Sequence, residues 1–133
     1  MVTLNNEQTK QILFFQQVTH ASARDCVEDD EHIVFVVAEG DMGKAIGKNG
    51  NGIKDLQRML KKNVLFVEYS NILDRFVENI FFPTKINVNS TDDKVMIKVD
   101  ADNRKYVIGK GGHKIKLART LISRHFGEKE IKI

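Results

Sequence analysis

Two tetrads of glycine and lysine are the residues of this chain whose types and spacing point to chemistry. The first, Gly47–Gly50, reads Gly-Lys-Asn-Gly, and the second, Gly109–Gly112, reads Gly-Lys-Gly-Gly. A helical pattern follows each tetrad, and a helix that begins after a glycine turn presents unpaired backbone N–H groups and the positive end of its dipole. Because glycine also permits close backbone approach, the tetrads predict two sites that hold phosphodiester groups without reading bases.

Apolar and basic residues flank both tetrads in the same arrangement. One isoleucine lies directly before each tetrad and another lies three residues after it, which predicts an apolar groove for unstacked bases. His113 follows the second tetrad directly and is either a base- or phosphate-contacting residue or a plain solvated side chain. The predicted nucleic-acid-binding residues are Lys44, Ile46, Gly47, Lys48, Asn49, Gly50, Ile53, Lys54 and Arg58 in the first segment, and Lys105, Ile108, Gly109, Lys110, Gly111, Gly112, His113, Lys114, Ile115 and Arg119 in the second.

Positive charge is concentrated around the tetrads. The net charge of the whole chain is only +3, but residues 41–62 hold 6 basic and 2 acidic side chains, and residues 101–133 hold 9 and 3. Residues 1–40 hold 2 basic and 7 acidic side chains, and residues 63–100 hold 4 and 6. Solvated helix faces would explain either basic segment alone. Since both segments combine the charge with a glycine tetrad, the pattern favours a polyanionic ligand.

Catalytic and metal-dependent chemistry is not predicted. The phosphate-binding loop of NTPases requires Gly-x4-Gly-Lys-Ser/Thr, whereas Gly43-Lys44 is followed by alanine and Ala38 stands where the first glycine is needed. Neither tetrad completes the dinucleotide-binding pattern Gly-x-Gly-x-x-Gly. The histidines and the single cysteine, Cys26, lack metal-ligand spacing, and Cys26 is expected in the core of a strand. We therefore expect a non-enzymatic protein without catalytic residues, metal or cofactor.

The elements around the tetrads repeat along the chain. The first glycines are 109 − 47 = 62 residues apart, and the same shift superposes apolar positions on either side. Each half reads helix, strand, strand, short helix, tetrad, long helix, strand. The predicted helices cover 5–20, 40–46, 53–62, 71–82, 103–108 and 115–122, and the predicted strands cover 23–28, 32–38, 64–68, 85–89, 94–99 and 129–133.

The start of the second half is marked by a helix signal. Asn71 is predicted to cap its first helix with Asp74 at the third position, and Pro83 is predicted to end that helix. The boundary therefore falls near Tyr69 and Ser70. We expect an α+β fold of two domains, 1–69 and 70–133, each with a three-stranded sheet packed against three helices.

The spacing Ile-Gly-x-x-Gly-x-x-Ile at 46–53 and 108–115 resembles the signature of the KH domain, whose GXXG loop clamps about four nucleotides. The helix-first order resembles the type II, prokaryotic form, and the whole chain is similar to the archaeal NusA-like transcription termination factors. The resemblance implies two tandem type II KH domains that bind single-stranded RNA in transcription termination or antitermination. It implies the nascent transcript as ligand and RNA polymerase or its associated factors as candidate partners.

Two alternatives stay open at this point. A ribosome-associated or RNA-processing KH adaptor would bind the same class of ligand, and a protein-interaction module would use the tetrads only as tight turns. The phenylalanines have core spacing and tryptophan is absent, so recognition is expected to rest on phosphate and apolar contacts more than on aromatic stacking. No apolar run approaches the ~20 residues that span a membrane. The protein is expected in the cytoplasm, without membrane contact.

Overall fold

The computed structural model describes residues 2–133 and contains six α-helices and two three-stranded sheets. The helices are α1 (Asn6–Thr19), α2 (Met42–Ile46), α3 (Asn51–Leu60), α4 (Leu73–Phe81), α5 (Arg104–Ile108) and α6 (His113–Phe126). The strands are β1 (Ala23–Glu28), β2 (His32–Val37), β3 (Asn63–Glu68), β4 (Asn87–Ser90), β5 (Lys94–Lys98) and β6 (Glu130–Lys132). The predicted α+β class is confirmed. Within residues 2–133, no helix is long and apolar enough to cross a membrane.

The chain divides into two compact units, Val2–Tyr69 and Ser70–Ile133. A shift of 62 residues places α2 on α5 residue for residue, and it places the short 3-10 turn Lys48–Gly50 on the turn Lys110–Gly112. The helices that follow the tetrads differ in length, since α3 has 10 residues and α6 has 14. The second long helix is therefore one turn longer than its counterpart.

The sheet of the first unit has the order β1-β2-β3, with β1 antiparallel and β3 parallel to the central strand β2. A parallel pair requires a crossover connection, and α2, the first tetrad and α3 supply it. All residues from Ile33 to Val37 are buried. The alternation predicted for this strand therefore understates its burial, because a central strand covered on both faces is apolar throughout.

Helix α1 packs on this sheet through a phenylalanine cluster. The ring of Phe15 stacks on Phe35 at a centroid distance of 4.8 Å and meets Phe66 edge-on at 5.4 Å. Such ring pairs add about 0.5–1.5 kcal/mol beyond the burial of their area.

Helix α1 begins with a capping box, in which the Gln8 N–H donates to Asn5 Oδ1 at 2.8 Å and the Asn5 N–H donates to Gln8 Oε1 at 3.0 Å.

The sheet of the second unit has the order β4-β5-β6 and repeats this pattern of one antiparallel and one parallel pair. Its crossover consists of α5, the second tetrad and α6. Strand β4 covers 87–90 rather than the predicted 85–89, since its ladder with β5 runs from the Asn87–Lys98 pair to the Ser90–Val95 pair. Buried apolar residues of this unit are Phe76, Val77, Ile80, Phe81, Val95, Ile97, Val107, Leu117, Ala118, Leu121 and Ile122.

The predicted cap of α4 is wrong. The helix begins at Leu73 after Ile72, and no side chain caps it. The Ile72 N–H donates instead to Ser70 Oγ at 3.1 Å, while Asp74 accepts a short hydrogen bond from the Ser90 hydroxyl of β4. A contact with the sheet thus occupies the carboxylate on which the predicted capping box depended. The end of α4 at Phe81, before Pro83, agrees with the prediction.

Candidate nucleic-acid interface

The two tetrads adopt the same backbone path. The φ angles at the first, third and fourth positions are +72°, +58° and +73° in the first tetrad and +77°, +63° and +77° in the second. Glycine adopts these left-handed conformations without steric cost, and Asn49 belongs to a residue type that tolerates them. Only the second position, a lysine in both copies, lacks a positive φ. The backbone of the turn therefore favours glycine at its first, third and fourth positions, and the second position carries the lysine side chain.

The long helix that follows each tetrad begins without a side-chain N-cap. Gly50 is the N-cap of α3 and Gly112 is the N-cap of α6, and neither cap position forms a side-chain hydrogen bond. The turns are closed by backbone bonds, with N–H to carbonyl distances of 3.3 Å from Gly50 to Gly47 and 3.0 Å from Gly112 to Gly109. Since the first-turn N–H groups of a helix lack intrahelical partners and carry partial positive charge, both helix starts suit an oxyanion.

Most of the predicted cations have exposed side chains. Lys48 and Lys110 are exposed, and neither has a salt-bridge or hydrogen-bond partner among residues 2–133. Arg58 differs, because its guanidinium lies 3.2 Å from the Asp55 carboxylate. An exposed pair of this kind contributes little to stability, but it reduces the net field at that point of α3. The remaining predicted cations that are exposed are Lys44, Lys54, Lys105 and Arg119.

The predicted apolar pairs lie on the two helices that each tetrad joins. Ile46 ends α2 and is 38% exposed, whereas Ile53, in the first turn of α3, is half-buried. In the second copy, Ile108 at the end of α5 and Ile115 in the first turn of α6 are both half-buried. Each pair keeps part of its apolar surface accessible beside the tetrad. His113, the first residue of α6, is half-buried as well.

The copies differ where the short and long helices meet. A Cβ at Gly52 in α3 would stand 1.9 Å from the carbonyl oxygen of Ala45 in α2. The equivalent position, 52 + 62 = 114, is Lys114, which does carry a Cβ. That Cβ lies 2.7 Å from where a Cβ on Gly109 would stand. In the second copy, Lys114 of α6 therefore packs against Gly109. In the first copy, Gly52 of α3 packs against the backbone carbonyl of Ala45 in α2.

Lys114 is a partly buried lysine in the first turn of α6. Burial lowers the pKa of its ammonium group, because the charged form loses hydration. No carboxylate compensates for this among residues 2–133. A phosphate group at the helix start would supply the missing negative charge and raise the pKa again.

This shift predicts a pH-dependent affinity. As pH rises through the lowered pKa of Lys114, its ammonium group loses the positive charge, and the affinity for a phosphate at the helix start is expected to fall by at most about tenfold per pH unit. The decline begins at lower pH than the ordinary lysine value of about 10.4. Titration of binding to a 2′-O-methyl oligonucleotide, which resists alkaline hydrolysis, measures it. Lys114→Arg should flatten the curve and Lys110→Arg should not. A decline that is identical in both variants would contradict the assignment.

Tyr106 is an accessible aromatic residue that the sequence analysis did not assign to the site. It is 56% exposed on α5, and the Lys105 ammonium lies 5.1 Å from the centre of its ring. Its counterpart in the first copy is Lys44, since 106 − 62 = 44. The sequence signal for this residue is the difference between the copies, since the second has tyrosine where the first has lysine. An exposed ring three residues before a candidate phosphate site can stack on a base.

Comparisons with known proteins agree with this geometry. The KH domain family model matches residues 10–81. The chain is 36% identical to the probable transcription termination protein NusA of Methanococcus vannielii, over 99% of this chain and 79% of the relative. It is 34% identical to the protein of the same name from Halococcus morrhuae, over 99% and 98%. The crystal structure of APE1850 has a TM-score of 0.82 and 38% identity, over 98% of this chain and 99% of that one. The chain therefore belongs to the KH domain family and, within it, to the archaeal NusA-like proteins.

Proposed function

We propose that this protein binds single-stranded RNA, the nascent transcript, in transcription termination or antitermination, and that it does so without catalysing a reaction. Relatives named as probable transcription termination proteins, aligned over nearly the full chain, support this role. The observation that carries the binding activity is the matched pair of tetrads, which present the same backbone conformation at the start of two uncapped helices.

We also propose that residues 1–69 and 70–133 are two type II KH domains. The KH family match at 10–81 includes the first tetrad and ends in α4. Support for the second domain comes from its own elements. Helix α4 precedes two antiparallel strands, and α5, the second tetrad, α6 and the parallel strand β6 follow them. Each unit thus presents the same order of elements around its tetrad.

The binding mechanism follows from the arrangement of charges. The phosphate oxygens accept hydrogen bonds from the first-turn N–H groups of α3 and α6, and Lys48 and Lys110 supply the neutralising ammonium groups. The unstacked bases lie over the accessible parts of the flanking isoleucines. Since these contacts address the backbone and apolar base faces, the tetrads fix the position of the strand and carry little sequence information.

The proposed protein partner is RNA polymerase or a factor associated with it. Purification of the tagged protein from cells distinguishes this from a ribosome-associated role. Polymerase subunits in the eluate support transcription, whereas ribosomal particles without polymerase favour the adaptor function.

Salt dependence tests the phosphate-binding mechanism. For single strands, log affinity falls with log salt concentration by about 0.7 for each neutralised phosphate. If each tetrad neutralises one or two phosphates, the slope lies between about −1.4 and −2.8. Lys110→Ala should reduce the slope by about 0.7. Binding that is independent of salt would contradict the mechanism, and failure to retain any RNA at low salt would favour the protein-interaction alternative.

A further inference from the structure

The second unit contains a cavity of about 500 Å³ beside α6, separate from the tetrad. Its volume lies within the range of about 300–1,000 Å³ typical of small-ligand sites. Arg119 lies seven residues beyond Gly112, which is roughly 10 Å along the helix axis. A strand held at the second tetrad can therefore reach it. The lining residues are Asp93, Arg119, Ser123, Glu128, Lys129 and Glu130.

The two copies differ at residues that line this cavity. The counterpart of Arg119 is Gln57, since 119 − 62 = 57. Gln57 Oε1 accepts a hydrogen bond from the Val64 N–H at 3.2 Å, so the first unit uses this side chain to join its long helix to its last strand. Ser123 belongs to the turn by which α6 exceeds α3. The second unit therefore has a longer helix there and an arginine that makes no such bond.

Two opposite charges in the cavity have no partner within residues 2–133. Lys129 donates to a backbone carbonyl of the β4–β5 turn, and the Glu130 carboxylate lies 3.6 Å from the Lys132 ammonium. Among residues 2–133, the guanidinium of Arg119 and the carboxylate of Glu128 form neither a salt bridge nor a hydrogen bond. The cavity thus offers a fork of donors and a pair of acceptors to a ligand.

We propose that this cavity binds one guanine base of the RNA strand, an inference that rests on the proposed RNA binding. Arginine donates to two adjacent acceptors, and guanine presents O6 and N7 in that arrangement. A carboxylate accepts from two adjacent donors, and guanine presents its N1–H and 2-amino groups. Adenine, cytosine and uracil each lack at least one of these pairs. The cavity therefore supplies the base selection that the two tetrads do not.

Oligonucleotide binding tests the proposal. A nonauridine strand with one central guanosine should bind the full-length protein about tenfold more tightly than strands with adenosine, cytidine or uridine there. Inosine, which lacks the 2-amino group, and 7-deazaguanosine, which lacks N7, should each lose most of that gain. Equal binding of all strands overturns the guanine site but leaves RNA binding intact. Failure to bind any strand overturns both.

Matched variants locate the base. In Glu128→Gln the loss caused by inosine should disappear, and in Arg119→Gln, which introduces the residue of the first unit, the loss caused by 7-deazaguanosine should disappear. Glu78→Gln, at an exposed carboxylate of α4 outside the cavity, should retain both losses. If inosine still weakens binding to Glu128→Gln as much as to the unsubstituted protein, guanine binds elsewhere and the cavity assignment is wrong.

Discussion

Aspartate at both middle positions of each tetrad is expected to reduce the affinity for single-stranded RNA by at least about 100-fold while the fold survives. The variant combines Lys48→Asp, Asn49→Asp, Lys110→Asp and Gly111→Asp. Each tetrad changes from one positive charge to two negative charges beside the phosphate. The repulsion between one aspartate and a phosphate 4 Å away is about 1 kcal/mol even at the dielectric constant of water. The measurement is the dissociation constant for a single-stranded oligonucleotide at low salt.

The local geometry explains why this variant should fold. Asn49 already adopts a positive φ of 58°, and aspartate has nearly the same shape. A Cβ on Gly111 would meet no atom within 4 Å, so the cost there is the left-handed conformation alone, about 1–2 kcal/mol. Both lysines are exposed. Circular dichroism should therefore show unchanged helix content, which separates loss of binding from loss of structure.

Single substitutions compare the two tetrads. Lys110→Asp should weaken binding more than Lys48→Asp, because the second tetrad has no side chain at its third position and lies in the more basic segment. Lys10→Asp, at an exposed position of α1 outside both tetrads, makes the same charge change and serves as the control. Unchanged affinity in the quadruple variant would remove the tetrads from the binding site altogether.

The tetrad geometry could be predicted from sequence because it is local. Positive φ angles in the turn favour glycine, with asparagine tolerated at Asn49, and the 62-residue repeat predicts α2, α5 and both turns without any tertiary contact. Where a tertiary contact decides the outcome, the local pattern fails. Asn71 and Asp74 have the spacing of a capping box, but Asp74 accepts a hydrogen bond from Ser90, which is 16 residues away in sequence and close only in the folded structure.

The cavity beside Arg119 and the lowered pKa of Lys114 depend on tertiary packing, which a sequence repeat does not show. A 62-residue repeat implies equivalent copies, yet α6 continues to Phe126, and Ser123 of this extra turn lines the cavity beside Arg119. The lowered pKa of Lys114 likewise follows from burial, which spacing does not reveal. In both cases the informative signal lay in the positions where the copies differ, Gln57 against Arg119 and Gly52 against Lys114.

Gly52→Ala is expected to destabilise the protein by about 2–4 kcal/mol, because overpacking against rigid backbone ranks among the larger single-residue effects. The added Cβ would stand 1.9 Å from the Ala45 carbonyl oxygen and 3.2 Å from that of Ile46, both backbone atoms of α2. Neither can rotate away as a side chain would, so α2 and α3 must separate. That separation would displace the tetrad between them, and RNA affinity should fall together with stability.

Gly43→Ala provides the matched control in the same helix pair. A Cβ at Gly43 would meet nothing within 4 Å and its φ is not positive, so alanine should be neutral or stabilising by roughly 0.5–1 kcal/mol. Urea unfolding followed by circular dichroism measures both variants as shifts in midpoint at constant slope. Equal midpoints for the two variants would show that α2 and α3 tolerate a wider separation. The glycine would then be dispensable in the first copy, as Lys114 shows that it is in the second.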